Sequence, residues 1–380
     1  MTGAPRVASP PSVPTEGTKG VEGTKGVGHQ RCLSGTKGVK HLVRSRKALR
    51  RVRAPLWPGL CSGPPQTGGP CMGWPIRMYE PGRIYFVTIR CFQGRLLLRP
   101  SLQTNDVLGG VLARAVQRNA IELFAFAFAS NHLHMLVRAP NGNVPEFMRY
   151  LLTNISKKVG RLVGWKGGFW ERRYSAEPVL DEGALLSRVR YIISHGVKEG
   201  LVRRCTDWPG LNSLPELLGR PARSFRWFNW TRRWPSRSSN GVPARFDPRF
   251  AELEPLVITP LPLTRFARSS RWRRFVRRAV EAVERQARVA HSQVLGRRGV
   301  LAQDPQHRPE RPKRTRRPWC HASTARLQRE FMDLYCAFRS AFQAASIRWR
   351  RGDLLANFPP NAFRPFLRSA GTLASAVSGG

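Results

Sequence analysis

Ser130-Asn131-His132-Leu133-His134-Met135-Leu136-Val137 is the stretch on which the fold reading turns. A strand sends successive side chains to opposite faces, so both imidazoles fall on one side and Leu133 on the other. Two nitrogen donors on one face can reach one metal ion. Just upstream, Leu123 to Ala129 alternates phenylalanine with alanine. That pattern predicts a second strand with its phenylalanines on one side, antiparallel to the histidine strand across a tight turn.

Working outward, Ile84-Tyr85-Phe86-Val87-Thr88-Ile89-Arg90 is aromatic and β-branched and predicts a strand. Asp106 to Arg118 predicts a helix, with Val107, Leu108, Val111, Leu112 and Ala115 at helical spacing. A second helix is expected from about Pro145 to Leu162, with Pro145 suited to its first turn. A Gly-rich, aromatic, basic loop follows from Trp165 to Tyr174, then a short strand from Ala176 to Leu180. Asp181 is the expected N-cap of the helix that carries Tyr191. The order strand, helix, strand, strand, helix, strand, helix describes an α+β sandwich, an antiparallel sheet with packed helices.

The flanks differ in character. Residues 1–75 are rich in Pro, Gly, Ser, Thr and Lys, and Thr-Lys-Gly-Val recurs at Thr18, Thr24 and Thr36. So little apolar content cannot offset the entropy of ordering, so this segment is expected to be unfolded. It reads either as a basic tail that tracks DNA or as a translated upstream region, with Met72 and Met78 as candidate starts; the second is favoured. The globular domain is assigned to 76–215, and 216–262, rich in Pro, Arg and Trp, reads as a linker or docking segment. Residues 263–380 read as a basic helical extension. One helix is expected from Phe266 to Val289. Another is expected from Ala325 to Arg351, with a stripe of Leu327, Phe331, Leu334, Phe338, Phe342 and Ala345 and a stop at Gly352. Arg308 to Pro318 is a basic tether between them.

The chain of 380 residues carries 65 Lys+Arg against 23 Asp+Glu, a formal charge of +42. Such a field selects polyanions, and nucleic acid is the commonest one in a cell. No apolar run approaches the roughly 20 residues of a membrane span. Seven cysteines without a Cys-x-x-Cys pair argue against a zinc ribbon and a disulfide framework and suit a reducing cytoplasm.

On a wheel of about 100° per residue, Leu185, Leu186, Val189, Ile192 and Ile193 share one face of the Asp181–His195 helix. Arg188, Tyr191 and His195 share another. A tyrosine, a histidine and an arginine on one flank, able to approach two strand histidines, suit attack on a phosphodiester. A divalent ion offsets the anionic charge, and nearby cations favour the phenolate of a group whose ordinary pKa is about 10. Tyr174, after the Gly-rich loop and two arginines, is the rival nucleophile.

These residues carry a resemblance. Asn131-His132-Leu133-His134 is similar to the HUH motif of single-tyrosine transposases, most of all the REP-associated tyrosine transposases of bacteria. Phe169-Trp170-Glu171-Arg172-Arg173-Tyr174 resembles the family's Trp-x-x-Arg-Phe/Tyr segment. Arg190-Tyr191-Ile192-Ile193-Ser194-His195 resembles its tyrosine helix, and Asp207-Trp208-Pro209 fits its later Trp-Pro. The likeness spans Met78 to Ser213.

The resemblance implies an HUH, ferredoxin-like sandwich acting on single-stranded DNA beside a hairpin. It implies His132, His134 and His195 as ligands of Mg²⁺ or Mn²⁺. It implies Tyr191 as the nucleophile, forming a 5′-phosphotyrosine and freeing a 3′ hydroxyl. At the third ligand the family commonly has Gln or Asn where this chain has His195, and its Asn-Pro is here His195-Gly196. Lys157, Lys158, Trp170, Arg172, Arg173 and Arg188 are the candidate DNA contacts. The expected setting is the cytoplasm, on the nucleoid, with no membrane. The alternative is a hairpin DNA- or RNA-binding protein whose catalysis has decayed. The arginine-rich helices, with Trp272 and Phe275, are read as a grip on hairpin DNA or, through the Leu327-to-Ala345 stripe, as a homodimer contact.

Overall fold

A computed structural model describes residues 76–229, 250–266, 269–310 and 318–365. The expected unfolded segment 1–75 and residues 311–317 of the basic tether lie outside them.

Four strands form one antiparallel sheet: β1 (Ile84–Arg90), β2 (Glu122–Phe128), β3 (His132–Arg138) and β4 (Ser175–Pro178), in the order β2-β3-β1-β4. Helices α1 (Leu102–Arg118) and α2 (Val144–Leu162) lie on one face, and α3 (Glu182–Ile193) lies on the other. The α+β sandwich read from the sequence is therefore the fold. Ser101 and Asp181 start α1 and α3 by accepting from the amides of Thr104 and Ala184, at 3.0 and 2.9 Å.

The two-residue period of β1 and β3 sorts their side chains. Val87, Ile89, Leu133, Met135 and Val137 join the core under α1 and α2. Phe86 and Leu136 join the core under α3. β3 pairs on both sides, so Thr88 faces His134 and Arg90 faces His132. Slipping this register by one residue would drive both histidines into the opposite core.

β2 departs from the expected alternation. A bulge between Leu123 and Ala125 turns Phe124 to the α3 face, while Phe126 and Phe128 stay under α1 and α2. One extra residue in the ladder shifts the side-chain phase by one.

Within 216–262, read from sequence as a linker or docking segment, the described residues 216–229 and 250–262 hold regular structure, and 230–249 lie outside the described residues. After the short α4 (Leu214–Leu217), β5 (Arg223–Phe228) and β6 (Ala251–Leu256) form an antiparallel ribbon. Phe225 and Trp227 turn into the core beside α1. Gly109 and Gly110 of α1 admit the ribbon: a Cβ on Gly110 would stand 2.3 Å from the Arg226 carbonyl oxygen. Asp106 holds Arg226 at 2.9 Å, and Arg114 holds Glu252 at 2.9 Å and also Glu254.

The extension is helical as expected: α5 (Ser269–Ala290), α6 (Gly296–Ala302) and α7 (Ala325–Arg350). The apolar stripe of α7 is covered from within the chain. Phe331, Tyr335 and Phe338 pack with Cys320, Ile76, Met78 and Leu180, and Leu334 is exposed instead. Gly352, at φ +96°, follows the end of α7. Among the described residues no helix is long and apolar enough to cross a membrane.

Glycine to alanine inside a helix ordinarily gains about 1 kcal/mol. Gly110→Ala is expected instead to lose about 1–3 kcal/mol in urea unfolding, because backbone rather than a mobile side chain blocks the new methyl. A stabilised variant would mean that the ribbon does not rest on α1.

Candidate active site

His132 and His134 lie on the α3 face of β3, each with a partner that orients its ring. The Asn131 amide nitrogen donates to the Gly94 carbonyl at 3.0 Å, which points its Oδ1 at His132 Nδ1, 2.6 Å away. Only a protonated Nδ1 satisfies that oxygen, so His132 presents the lone pair of Nε2. Across the strand pair, Thr88 Oγ1 lies 2.8 Å from His134 Nδ1. Imidazoles that bind metals are commonly fixed in this way through their second nitrogen.

His195 completes the group from beyond the end of α3. The helix stops at Ile193, so the wheel reading that continued it to His195 is corrected. Ser194 caps it, donating from Oγ to the Tyr191 carbonyl at 2.7 Å. Gly196 then takes φ +90°, and a Cβ there would meet the Trp208 indole at 2.7 Å. Trp208 is pinned by its Nε1, which donates to the Phe128 carbonyl at 3.1 Å. Proline cannot adopt that φ. Gly196 in place of the Pro of related motifs is thus what this turn requires.

The ring centroids of the three histidines are 4.7 to 5.3 Å apart, and their donor atoms all lie within 4.8 Å of one another. Burial holds the His132 and His134 imidazoles well below their ordinary pKa, helped by the charges of their histidine neighbours and Arg90. Burial also lowers His195 to about 4, with Lys198 adding to the effect. All three rings are therefore neutral at neutral pH, the form that donates a lone pair. Nε2 of His134 and Nε2 of His195 are buried without a hydrogen-bond partner. An orphaned buried polar atom costs about 1–3 kcal/mol, which a metal ion would relieve. The donor set fits a divalent ion.

Tyr191 stands beside this group. Its ring centroid is 5.0 Å from that of His134 and 5.8 Å from that of Phe86, edge-on to both. The Lys198 ammonium lies 4.8 Å from the Tyr191 ring centre and the Arg188 guanidinium 5.2 Å. Arg188 is half-buried, with Nε unpartnered, and burial weakens its hold on the proton.

The other expected contacts lie elsewhere. Tyr174 is buried in the α1/α2 core, its hydroxyl 2.8 Å from that of Tyr79, with Arg77 over its ring. Burial raises its pKa. It is thus on the face opposite the histidines, which removes the geometric case for it as rival nucleophile. Lys157 and Lys158 are on α2, also across the sheet. Lys157 is exposed, whereas Lys158 donates to the Phe228 carbonyl at 2.9 Å and sits 3.4 Å over the Trp227 ring. Burial brings its pKa down to about 8. Trp170 is a packing anchor, its Nε1 donating to the Leu152 carbonyl at 3.1 Å. Arg172 and Arg173 are exposed on the loop before β4. Of the six candidates, Arg188 is the one shown beside Tyr191 and the histidines.

One pair at the site escaped the sequence reading. Glu177, buried on β4, lies 3.5 Å from Nε2 of His321, a residue of the C-terminal extension. The His321 backbone extends the sheet edge, donating to the Pro178 carbonyl and accepting from Leu180. Its ring is 5.3 Å from that of Phe86, which in turn stacks on His134. Asp181 ties the two segments, capping α3 with one oxygen and accepting from the Ser323 amide with the other. A lone histidine far from its partner in sequence gives no pattern to read.

Residues 98–195 match the family profile described as Transposase IS200 like. Among solved structures, a REP-associated tyrosine transposase bound to a REP hairpin is 19% identical, over 39% of this chain and 87% of that one, with a TM-score of 0.35. A crystallised transposase candidate from Deinococcus radiodurans is 20% identical, over 30% of this chain and 92% of that one, with a TM-score of 0.24. No curated protein sequence matches. The matched residues 98–195 hold both strand histidines, Tyr191 and His195, and it is over this segment that the chain is similar to the IS200-like transposase family.

Proposed function

We propose that this transposase nicks and rejoins single-stranded DNA flanked by a hairpin, through a 5′-phosphotyrosine on Tyr191. The observation that supports this most is the meeting of three neutral imidazoles, those of His134 and His195 buried and that of His132 partly so, with Tyr191 at their edge. The hairpin and the linkage polarity follow from the sequence resemblance.

The Tyr191 oxygen attacks phosphorus, and the bond from phosphorus to the 3′ oxygen breaks. The phenol gives up its proton, and the departing 3′ oxygen gains one. Lys198 and Arg188, both beside the Tyr191 ring, favour the phenolate. Arg188 also offers a guanidinium donor to a phosphate oxygen. Attack by another 3′ hydroxyl on the phosphotyrosine restores a phosphodiester and releases Tyr191, so rejoining needs no nucleotide cofactor. His132, His134 and His195 would hold Mg²⁺ or Mn²⁺, which would polarise the phosphate and offset its charge. A third imidazole in place of an amide oxygen shifts preference from Mg²⁺ toward Mn²⁺ or softer ions.

With Mn²⁺ and a hairpin-flanked single strand, the wild type is expected to form a covalent adduct visible on a denaturing gel. Tyr191→Phe should lose it by more than about 10³-fold. Tyr174→Phe should keep it, while losing about 1 kcal/mol of stability with its buried hydrogen bond. An adduct that survives in Tyr191→Phe assigns the nucleophile to another residue, and a wild type that binds DNA without an adduct is a binding protein.

Thr88→Val, which keeps the volume and removes the hydroxyl, should weaken Mn²⁺ binding about 10- to 100-fold by calorimetry without DNA. Asn131→Ala should do the same through His132. Unchanged affinity in both would mean that the ring orientations do not depend on these partners.

A further inference from the structure

The helix α5 carries seven arginines and two glutamates, sorted by face. Trp272, Phe275, Val276, Val280 and Val283 turn inward with the core residues of α3. Arg271, Arg274, Arg277, Arg278, Arg285 and Arg288 are exposed on the opposite arc, interrupted only by Glu281. Among the described residues none of these six arginines makes an ion pair. At 1.5 Å per residue, Arg271 to Arg285 spans about 21 Å, more than half a turn of duplex DNA.

α5 is also fixed to the parts that carry the candidate chemistry. The Arg190 guanidinium of α3 lies 5.1 Å over the Phe275 ring. At the far end, His291 Nε2 is 3.0 Å from the Lys198 carbonyl, and the Gly296 amide donates to Leu201 at 2.9 Å. The helix therefore runs along the tyrosine helix and ends on the turn that follows His195.

We infer that the exposed arc of α5 is a phosphate-backbone track for double-stranded DNA, which sets a hairpin stem at a fixed distance from Tyr191. This rests on the reading of the chain as an enzyme acting on hairpin-flanked DNA. Two features choose duplex over other polyanions. The aromatic residues of α5 are committed to packing, so the arc has no stacking platform for unpaired bases, while duplex presents the higher charge density. A basic amphipathic helix can also lie on an anionic membrane, but it inserts an apolar face to do so. Here that face is covered by α3. Trp272 and Phe275, expected as part of a DNA grip, instead anchor the helix.

The test uses the full chain with Arg271, Arg274, Arg278 and Arg285 all changed to Gln. Binding is measured across a salt series to a DNA hairpin, to an unpaired oligonucleotide of equal length and to phosphatidylserine vesicles. The hairpin salt slope is expected to fall by about 3–4 and its affinity at low salt by more than about tenfold, with little change for the unpaired strand. Glu281→Gln, which removes the one acidic break, should move hairpin binding the other way.

An unchanged hairpin slope overturns the inference, as does equal loss on both DNAs or a loss confined to vesicles. Adduct formation on the unpaired strand is a separate readout. If the wild type makes none, the Tyr191 reading fails while the hairpin-binding result still decides the role of α5.

Discussion

The site depends on the pairing of β3 with β1 and β2 on both sides. That double pairing holds a two-residue period in phase, so Leu133, Met135 and Val137 are buried on one face while His132 and His134 share the other. Full burial of each large apolar side chain contributes about 1.5–3 kcal/mol, and a one-residue slip would forfeit several of these while burying two imidazoles in hydrocarbon. The hydrophobic pattern thus places the polar group. His195 then needs only a turn at the end of α3, and Gly196 with Trp208 fixes that turn.

The arrangement carries a local cost. Three rings are kept neutral by burial, and two of their nitrogens have no partner. Sites of this kind persist where the missing partner is supplied by what the site binds. Around the rings, Asn131 and Thr88 orient the imidazoles, while Arg188 and Lys198 surround Tyr191 with positive charge. The candidate active site is therefore a shell of neutral donors inside a rim of cations, suited to a metal ion and a phosphate together.

Much of this was legible in the sequence, because it rests on short-range periodicity. The sequence predicts β1 with its observed limits and Asp181 as a cap, and the face shared by His132 and His134 follows from alternation alone. Features set by long-range packing were not legible. The bulge at Phe124, the end of α3 before His195 and the ribbon on Gly109 and Gly110 all depend on neighbours that no local pattern names. The composition of 216–262 hid the Phe225 and Trp227 alternation of β5 behind arginines and prolines. Lys158 and Trp170 looked like nucleic-acid contacts because their residue types are, but packing turned both inward. Glu177 and His321 meet only because the extension returns to the sheet edge.

The central claim is that one metal ion sits among three imidazoles with a phenol at its edge. Anomalous diffraction from Mn²⁺-soaked crystals of the Tyr191→Phe variant bound to a single-stranded oligonucleotide tests it most directly. The account predicts one manganese peak within bonding distance of a ring nitrogen of each of His132, His134 and His195, with a DNA phosphate between it and the substituted ring on α3. Manganese bound away from these rings, or a phosphate held on the α1/α2 side of the sheet, would contradict it.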